Sequence, residues 1–327
     1  MNSERVFADF PDRGEPSLPA TVGRLLESQR KVWPDLRRGM DALSSVQTRT
    51  IVGKHYPTLV QFNPIRITST GAKVDPQTIA RRKCFLCVEN LPDPQQGVRY
   101  RDEYLILCNP APIFRGHYTI SHIDHRPQAI GDAIATLLAL ARDLSPSYQV
   151  FYNGPRCGAS APDHLHFQAS PTGSIPLADR PFLERHANNS VQINGIPVTL
   201  LHNTDRSVLA YRAPAAAEAT LVLERILRAA GQVLGTSEEP LVNILAWWTD
   251  TEWNLVVVLR SKHRPDAYFR EDSEKLLISP AAVDMGGLVI TPREEDFSRL
   301  DARTIQAIYR EVSLESSLAT TILEAVR

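Results

Sequence analysis

Four cysteines, three methionines and an aromatic share of 7% are sparse for a chain of 327 residues. The cysteines, at 84, 87, 108 and 157, are too few and too unevenly spaced for the disulfide framework of a secreted domain. No apolar run reaches the roughly 18–20 residues that a membrane-crossing helix needs. The opening Met1-Asn-Ser-Glu-Arg5 leads into Asp and Pro rather than an apolar signal core, so a cytoplasmic location is expected. An excess of either charge is missing too: 36 basic side chains face 37 acidic ones, for a net charge of −1. Duplex-DNA binders and membrane-surface proteins ordinarily carry a basic excess, so neither DNA nor a membrane is an expected partner. A phosphorylated small molecule stays open, because a local cluster of donors suffices for one.

What is present is ample apolar material, 43% of residues, for one large domain or two of ordinary size. Residues 1–20 carry Pro, Gly and charge and read as a loose arm. Val22, Leu25, Leu26, Gln29, Trp33, Leu36, Met40 and Leu43 follow at helical spacing, with a bend expected near Pro34. Val60, Phe62, Ile65 and Ile67 predict extended structure over 58–70. Strands are expected at 104–108, 117–122, 148–152 and 164–169. Between the second and third of these, Ile130, Ile134, Leu137, Leu138 and Ala141 mark a helix that stops before Pro146.

The second half repeats that order more faintly. A strand at 208–211 precedes a helix with Leu223, Ile226, Leu227, Ala230 and Leu234, closed by Gly235. Strands at 242–248, 254–260 and 287–291 and a helix over about 301–324 follow. The reading is an α+β protein of two similar halves with antiparallel sheets and packed helices. The expected division is an arm and helix at 1–50, a catalytic half at 51–180 and a degenerate half at 181–327.

The chemistry concentrates at His164-Leu165-His166-Phe167-Gln168. Two-residue alternation on a strand puts His164, His166 and Gln168 on one face, with Leu165 and Phe167 on the other. Buried polar groups in such a row need partners. The bland alternative is a solvated polar face. The preceding Asn153-Gly-Pro-Arg-Cys-Gly-Ala-Ser-Ala-Pro162 favours function, since Gly158 allows unusual backbone angles and Ser160 adds a hydroxyl beside free amides. Cys84-Phe-Leu-Cys87 has the spacing of half a zinc site, against the alternatives of a redox pair or plain buried thiols.

These residues resemble the histidine-triad superfamily, and within it the branch with Gln at the third position. That branch holds hexose-1-phosphate uridylyltransferases, diadenosine tetraphosphate phosphorylases and GDP-hexose phosphorylases. The resemblance rests on Gly158-Ala-Ser160, His164-Leu-His-Phe-Gln168, Gly116-His117 with His125, Arg126-Pro-Gln-Ala-Ile130 and the cysteine pair, over about 84–170. It implies a histidine-triad-like fold in two halves and a nucleotidyl-histidine mechanism with His166 as nucleophile. Gln168 and Ser160 would meet phosphoryl oxygens, and Asn153 would orient His166. A structural zinc would sit on Cys84, Cys87, His125 and His164, with His117 and His122 as fallback ligands.

Since an amide cannot protonate a leaving group, transfer or phosphorolysis is favoured over hydrolysis. The implied partners are a nucleotide sugar or dinucleoside polyphosphate as donor, phosphate or a sugar phosphate as acceptor, and a second copy of the chain in a homodimer. The nucleoside is expected near Tyr104–Phe114, with Asn109 at the ribose, Phe114 and Gly158 nearby, and Lys262 of the basic run Arg260–Arg264 at the phosphates. The rivals are a hydrolase of the same superfamily and a non-catalytic, zinc-stapled nucleotide-binding module.

Overall fold

The computed structural model describes residues 3–11, 17–249 and 251–327. Strand β1 (Val6–Phe10) is followed by α1 (Leu18–Val32) and α2 (Pro34–Ala42), then by β2 (Gln47–Val52) and β3 (Pro57–Phe62). Two short helices, α3 (Ile67–Thr70) and α4 (Pro76–Arg81), precede β4 (Gly97–Tyr100), β5 (Tyr104–Cys108) and β6 (Tyr118–His122). Next come α5 (Ile134–Asp143), β7 (Tyr148–Asn153), β8 (His166–Pro171) and α6 (Arg180–His186). The second half contributes β9 (Ala187–Ile193), β10 (Ile196–Leu201), β11 (Ser207–Ala213), α7 (Ala216–Leu234), β12 (Val242–Trp248) and β13 (Trp253–Leu259). The chain ends through α8 (Asp266–Phe269), α9 (Ala282–Met285), β14 (Leu288–Thr291), α10 (Glu294–Arg299), α11 (Ala302–Val312) and α12 (Ser316–Ala325).

One eleven-stranded sheet carries both halves, in the order β1-β4-β5-β6-β8-β7-β12-β13-β11-β10-β9. With β1 set aside, the order read from the two edges is the same: β4-β5-β6-β8-β7 against β9-β10-β11-β13-β12. In each half a helix, α5 or α7, follows the third strand. The two runs meet at the antiparallel β7–β12 pair, where Asn153 lies opposite Asn243. The duplication read from the sequence is thus present in strand order, with the halves fused into one sheet rather than standing as two.

One sheet face is covered by α1, α5, α7 and α12, through Leu25, Leu137, Ile226 and Ile322. The other is covered in the second half by the three-stranded sheet β14-β3-β2 and by α9 to α11. There Val256 and Val258 of β13 stand in the core, and β13 holds no histidine. Strand β13 occupies in the second half the place of β8 in the first, so the repeated unit keeps its architecture and not the histidine of β8.

Several expectations are corrected. Residues 6–10 of the supposed arm form β1, paired parallel to β4, while 12–16 lie outside the described residues. The first helix breaks at Trp33, whose extended backbone lets Pro34 open α2. After Phe62 the predicted strand gives way to the 3-10 turn Pro64–Arg66 and α3, because Pro64 opens a turn as readily as it ends a strand. The last helix is two, α11 and α12, since Leu314 leaves the helical path to donate its N–H to Leu259. Among the described residues no helix is long and apolar enough to cross a membrane.

Candidate active site and metal centre

Strand β8 lies between β6 and β7, with His166 opposite Ser121 and Gln168 opposite Thr119. His166 and Gln168 face a cavity of about 570 Å³, while Leu165 and Phe167 are sealed in the core on the opposite face. His164 does not share the cavity face. The chain turns through 162–164 and the strand begins only at His166, so alternation fails there and the His164 ring points to the cysteines. That corrects the expected row of three.

The His166 ring is oriented by the backbone two residues earlier. Its Nδ1 lies 2.8 Å from the His164 carbonyl, an acceptor, so Nδ1 carries the proton and Nε2 keeps its lone pair. Burial lowers its pKa to about 4, keeping the imidazole neutral near pH 7. Its backbone is clamped by Gln128, which accepts from the His166 N–H at 2.7 Å and donates to the His166 carbonyl at 3.0 Å. The same amide donates to the Asn153 carbonyl, tying β7 to β8.

Gln168 is directed by His117. The Ile113 N–H donates to His117 Nδ1 at 3.2 Å, which leaves the ring proton on Nε2, 2.8 Å from Gln168 Oε1. Once Oε1 is taken, the amide NH2 is the end of Gln168 left for the cavity. Burial, reinforced by the Arg66 charge, lowers the His117 pKa to about 3, so this tautomer persists at neutral pH.

Cys84, Cys87, His125 and His164 come together with their ligand atoms all within 4.8 Å of one another. Cys84 Sγ lies 3.3 Å from His164 Nδ1, and Cys87 Sγ 3.2 Å from His125 Nδ1. His164 donates Nε2–H to the His122 carbonyl at 2.8 Å, which frees Nδ1 as a donor atom to a metal. Burial and the adjacent Cys84 push the Cys87 thiol up to about 12, so a cation is what would allow thiolates here. The four residues could hold a metal ion. Phe85 and Leu86, between the cysteines, line the cavity, so the cysteine loop is also part of its wall.

Ser160, Gly158, Asn153 and Asn109 also line the cavity. Gly158 has φ +96° and could not carry a Cβ, which would sit 2.5 Å from the Ala281 Cβ. Asn109 is both wall and turn, donating to Thr119 Oγ1 and accepting from the Ala111 N–H. Among the described residues no hydrogen bond joins Asn153 to His166: the Asn153 Oδ1 accepts from Asn243 Nδ2 at 2.9 Å and the Ala282 N–H at 2.7 Å. Phe114 does not line the cavity and packs into the core beside His117.

Lys262 is also absent from the cavity, because Asp266 and Glu311 draw its ammonium to the surface, at 2.7 and 2.5 Å. Arg260 is 1% exposed and spends its guanidinium on Asn243 Oδ1 and the carbonyls of Pro280, Val312, Lys262 and His263, bracing the seam between the halves. The basic run is structural. Sequence reasoning missed Arg66, Lys73 and Arg82, which do line the cavity, as well as Trp33 and Asp284. Gly116-His117 and Arg126-Pro-Gln128 were visible as motif fragments, without the roles the structure gives them.

Residues 25–171 match a family described as "Domain of unknown function (DUF4922)". A sequence search of curated proteins finds no match. Among solved structures, the yeast Ap4A phosphorylase Apa2 superposes with a TM-score of 0.60 at 17% identity, over 92% of this chain and 95% of that one. The fold is histidine-triad-like. The same yeast enzyme in complex with Ap4A gives a TM-score of 0.57 at 16% identity, covering 90% and 97% of the two chains. Its complex with AMP gives 0.56 at 14%, covering 90% and 96%. The fold is therefore the one implied by the resemblance to the Gln-bearing branch. The loop before β8 and the start of that strand contribute Ser160, His166 and Gln168 to the cavity.

The depressed His117 has a pH signature. In the unfolded chain a histidine takes a proton below about 6.5, whereas folded His117 resists until about 3. The stability it supports is complete above about 6.5 and is lost progressively as pH falls toward about 3. His263, also lowered to about 3 by burial, acts in the same direction, whereas Asp284, raised to about 6, acts oppositely below that pH. Urea midpoints should fall from pH 7 to pH 5, with a shallower fall in His117→Asn. Equal slopes would show that His117 titrates normally.

Proposed function

We propose that this chain is a nucleotidyltransferase of the phosphorylase type, working through a nucleotidyl group carried on His166 Nε2. The observation that carries the reading is an imidazole whose Nδ1 lies 2.8 Å from a backbone carbonyl and which shares its cavity with a directed glutamine. In the first half-reaction His166 Nε2 attacks the α-phosphorus of a nucleotide sugar or dinucleoside polyphosphate. A P–N bond forms, and the bond to the bridging oxygen breaks, that oxygen leaving with its electron pair on a phosphate. In the second, phosphate or a sugar phosphate attacks the same phosphorus and the P–N bond breaks.

A phosphate leaving group is stable as an anion and needs no proton. The Gln168 NH2 can donate to a phosphoryl oxygen as charge builds on it, but it cannot act as an acid. Ser160, which lines the same cavity, would share that load. Trp33, Leu91, Leu107 and Cys108 give the cavity apolar lining that would suit a nucleoside.

Zinc fits the cysteine-histidine cluster. Zn–S and Zn–N bonds of about 2.3 and 2.0 Å give a tetrahedron with edges of roughly 3.3–3.8 Å, near the S···N separations of 3.2 to 3.6 Å found here. With four protein ligands the ion would be structural, fixing residue 164 and so the carbonyl that orients His166. The protein should contain one zinc per chain by elemental analysis. Cys84→Ser should lose the metal and melt at lower temperature, and a metal-free wild type of unchanged melting temperature would refute the assignment.

The catalytic reading is tested by intact-protein mass spectrometry after brief incubation with a panel of nucleotide sugars and dinucleoside polyphosphates. One donor should add the mass of a nucleoside monophosphate, labile in acid and absent from His166→Ala. Gln168→Ala should slow adduct formation by about 10²–10³-fold, the usual effect of removing one oxyanion donor. No adduct from any donor, with zinc bound and nucleotide bound, would leave a binding module instead. Adduct that decays equally fast without acceptor would indicate a hydrolase.

A further inference from the structure

Arg66 is the cation in the cavity that the mechanism above leaves unused. It comes from the turn Pro64–Arg66 after β3 and lines the same cavity as His166 and Gln168. Its Nη1 donates to the Ala111 carbonyl at 2.8 Å, which fixes the plane of the guanidinium. Among the described residues no hydrogen bond or ion pair occupies Nε or Nη2, and neither atom is fully buried.

The surrounding charges do not complete it. Asp284 lines the cavity too, but commits its two oxygens to the N–H groups of Ala281 and Ile290, at 3.0 and 2.9 Å. Arg82 differs from Arg66, being paired with Asp163 at 2.6 Å and stacked over the Phe85 ring. Lys73 is exposed, where water satisfies an ammonium. Burial lowers the Arg66 pKa to about 10, which leaves it charged at neutral pH. A half-buried guanidinium with one edge unmet is a ready partner for an anion entering the cavity.

The open edge has a specific shape. Nε and Nη2 form the side of the fork that meets two oxygens of one phosphate. Its position is also specific, because the Arg66 charge acts on His117, whose Nε2 is 2.8 Å from Gln168 Oε1. Arg66 and Gln168 thus line one cavity, with the Arg66 charge felt at the histidine that directs the glutamine.

We propose that Arg66 is the anion-recognition residue of this cavity, taking two oxygens of a phosphate of the bound nucleotide. The proposal rests on the nucleotide reading of the same cavity, and its test does not require turnover. Calorimetric titration of wild type, Arg66→Lys and Arg66→Gln with the four ribonucleosides and their 5′-monophosphates isolates the phosphate contribution. Wild type should bind one monophosphate about tenfold or more tighter than its own nucleoside. Arg66→Gln should erase that preference while leaving nucleoside affinity unchanged. Arg66→Lys, which keeps the charge without the fork, should retain only part of it, and reports on the site even if the Gln variant folds poorly.

A preference that survives in both variants would overturn the proposal. So would equal losses for nucleoside and monophosphate, which would reduce Arg66 to a pin for the Ala111 turn, and so would a wild type that binds no monophosphate. An Arg66-dependent preference without any adduct on His166 would refute the transfer reading and leave this site standing.

Discussion

The structure depends on how the backbone at residue 164 is held. The His164 carbonyl accepts from the His166 ring, while the His164 ring is held by the His122 carbonyl and turned toward the cysteines. One short segment thus faces a metal-type cluster on one side and the cavity on the other. Burying so many polar groups is tolerable only because nearly every one has a partner, and those partners also fix tautomers. Gln128 completes the arrangement by gripping both backbone groups of His166. Orientation of the imidazole therefore comes from backbone geometry rather than from a separate carboxylate.

The second half braces the cavity. Asn243 and the Ala282 N–H hold the Asn153 side chain, and Arg260 locks Asn243 in turn. Arg264 donates to the Ala72 carbonyl and Tyr268 to that of Thr70, bracing the polar wall that Thr68, Ser69 and Lys73 present to the cavity. Strand β14 pairs with β3, and the end of β3 leads directly to Arg66. The cavity exists only where the two halves and the N-terminal segment meet. A repeat unit alone would lack most of one wall.

Regular elements were legible where apolar period and burial agree. Strands β5, β6, β7, β12 and β13 and helices α5 and α7 follow the expected spans closely, because each buries a periodic face. The hairpin β9–β10 went unread although Asn194-Gly195, with φ of 48° and 81°, carries the usual two-residue turn signal. Its edge strand exposes Ala187 to Ser190, so no apolar run drew attention to it. At the site, residue types close in sequence could be grouped, and the cysteine-histidine set was assembled from a family likeness. Arg66 and the His117–Gln168 bond depend on contacts across 45 residues or more of chain, for which spacing gives no signal. Lys262 misled because a basic run shows charge and hides the acidic neighbours at 266 and 311.

The central claim is that His166 presents an unprotonated Nε2 to the cavity while His117 presents a protonated Nε2 to Gln168. Nitrogen-15 NMR of histidine-labelled protein at pH 7.5, with His166→Ala and His117→Asn to assign signals, reads both tautomers directly. The account predicts His166 protonated at Nδ1 only and His117 at Nε2 only. A His166 ring protonated at Nε2 would contradict it, since that nitrogen could not attack phosphorus.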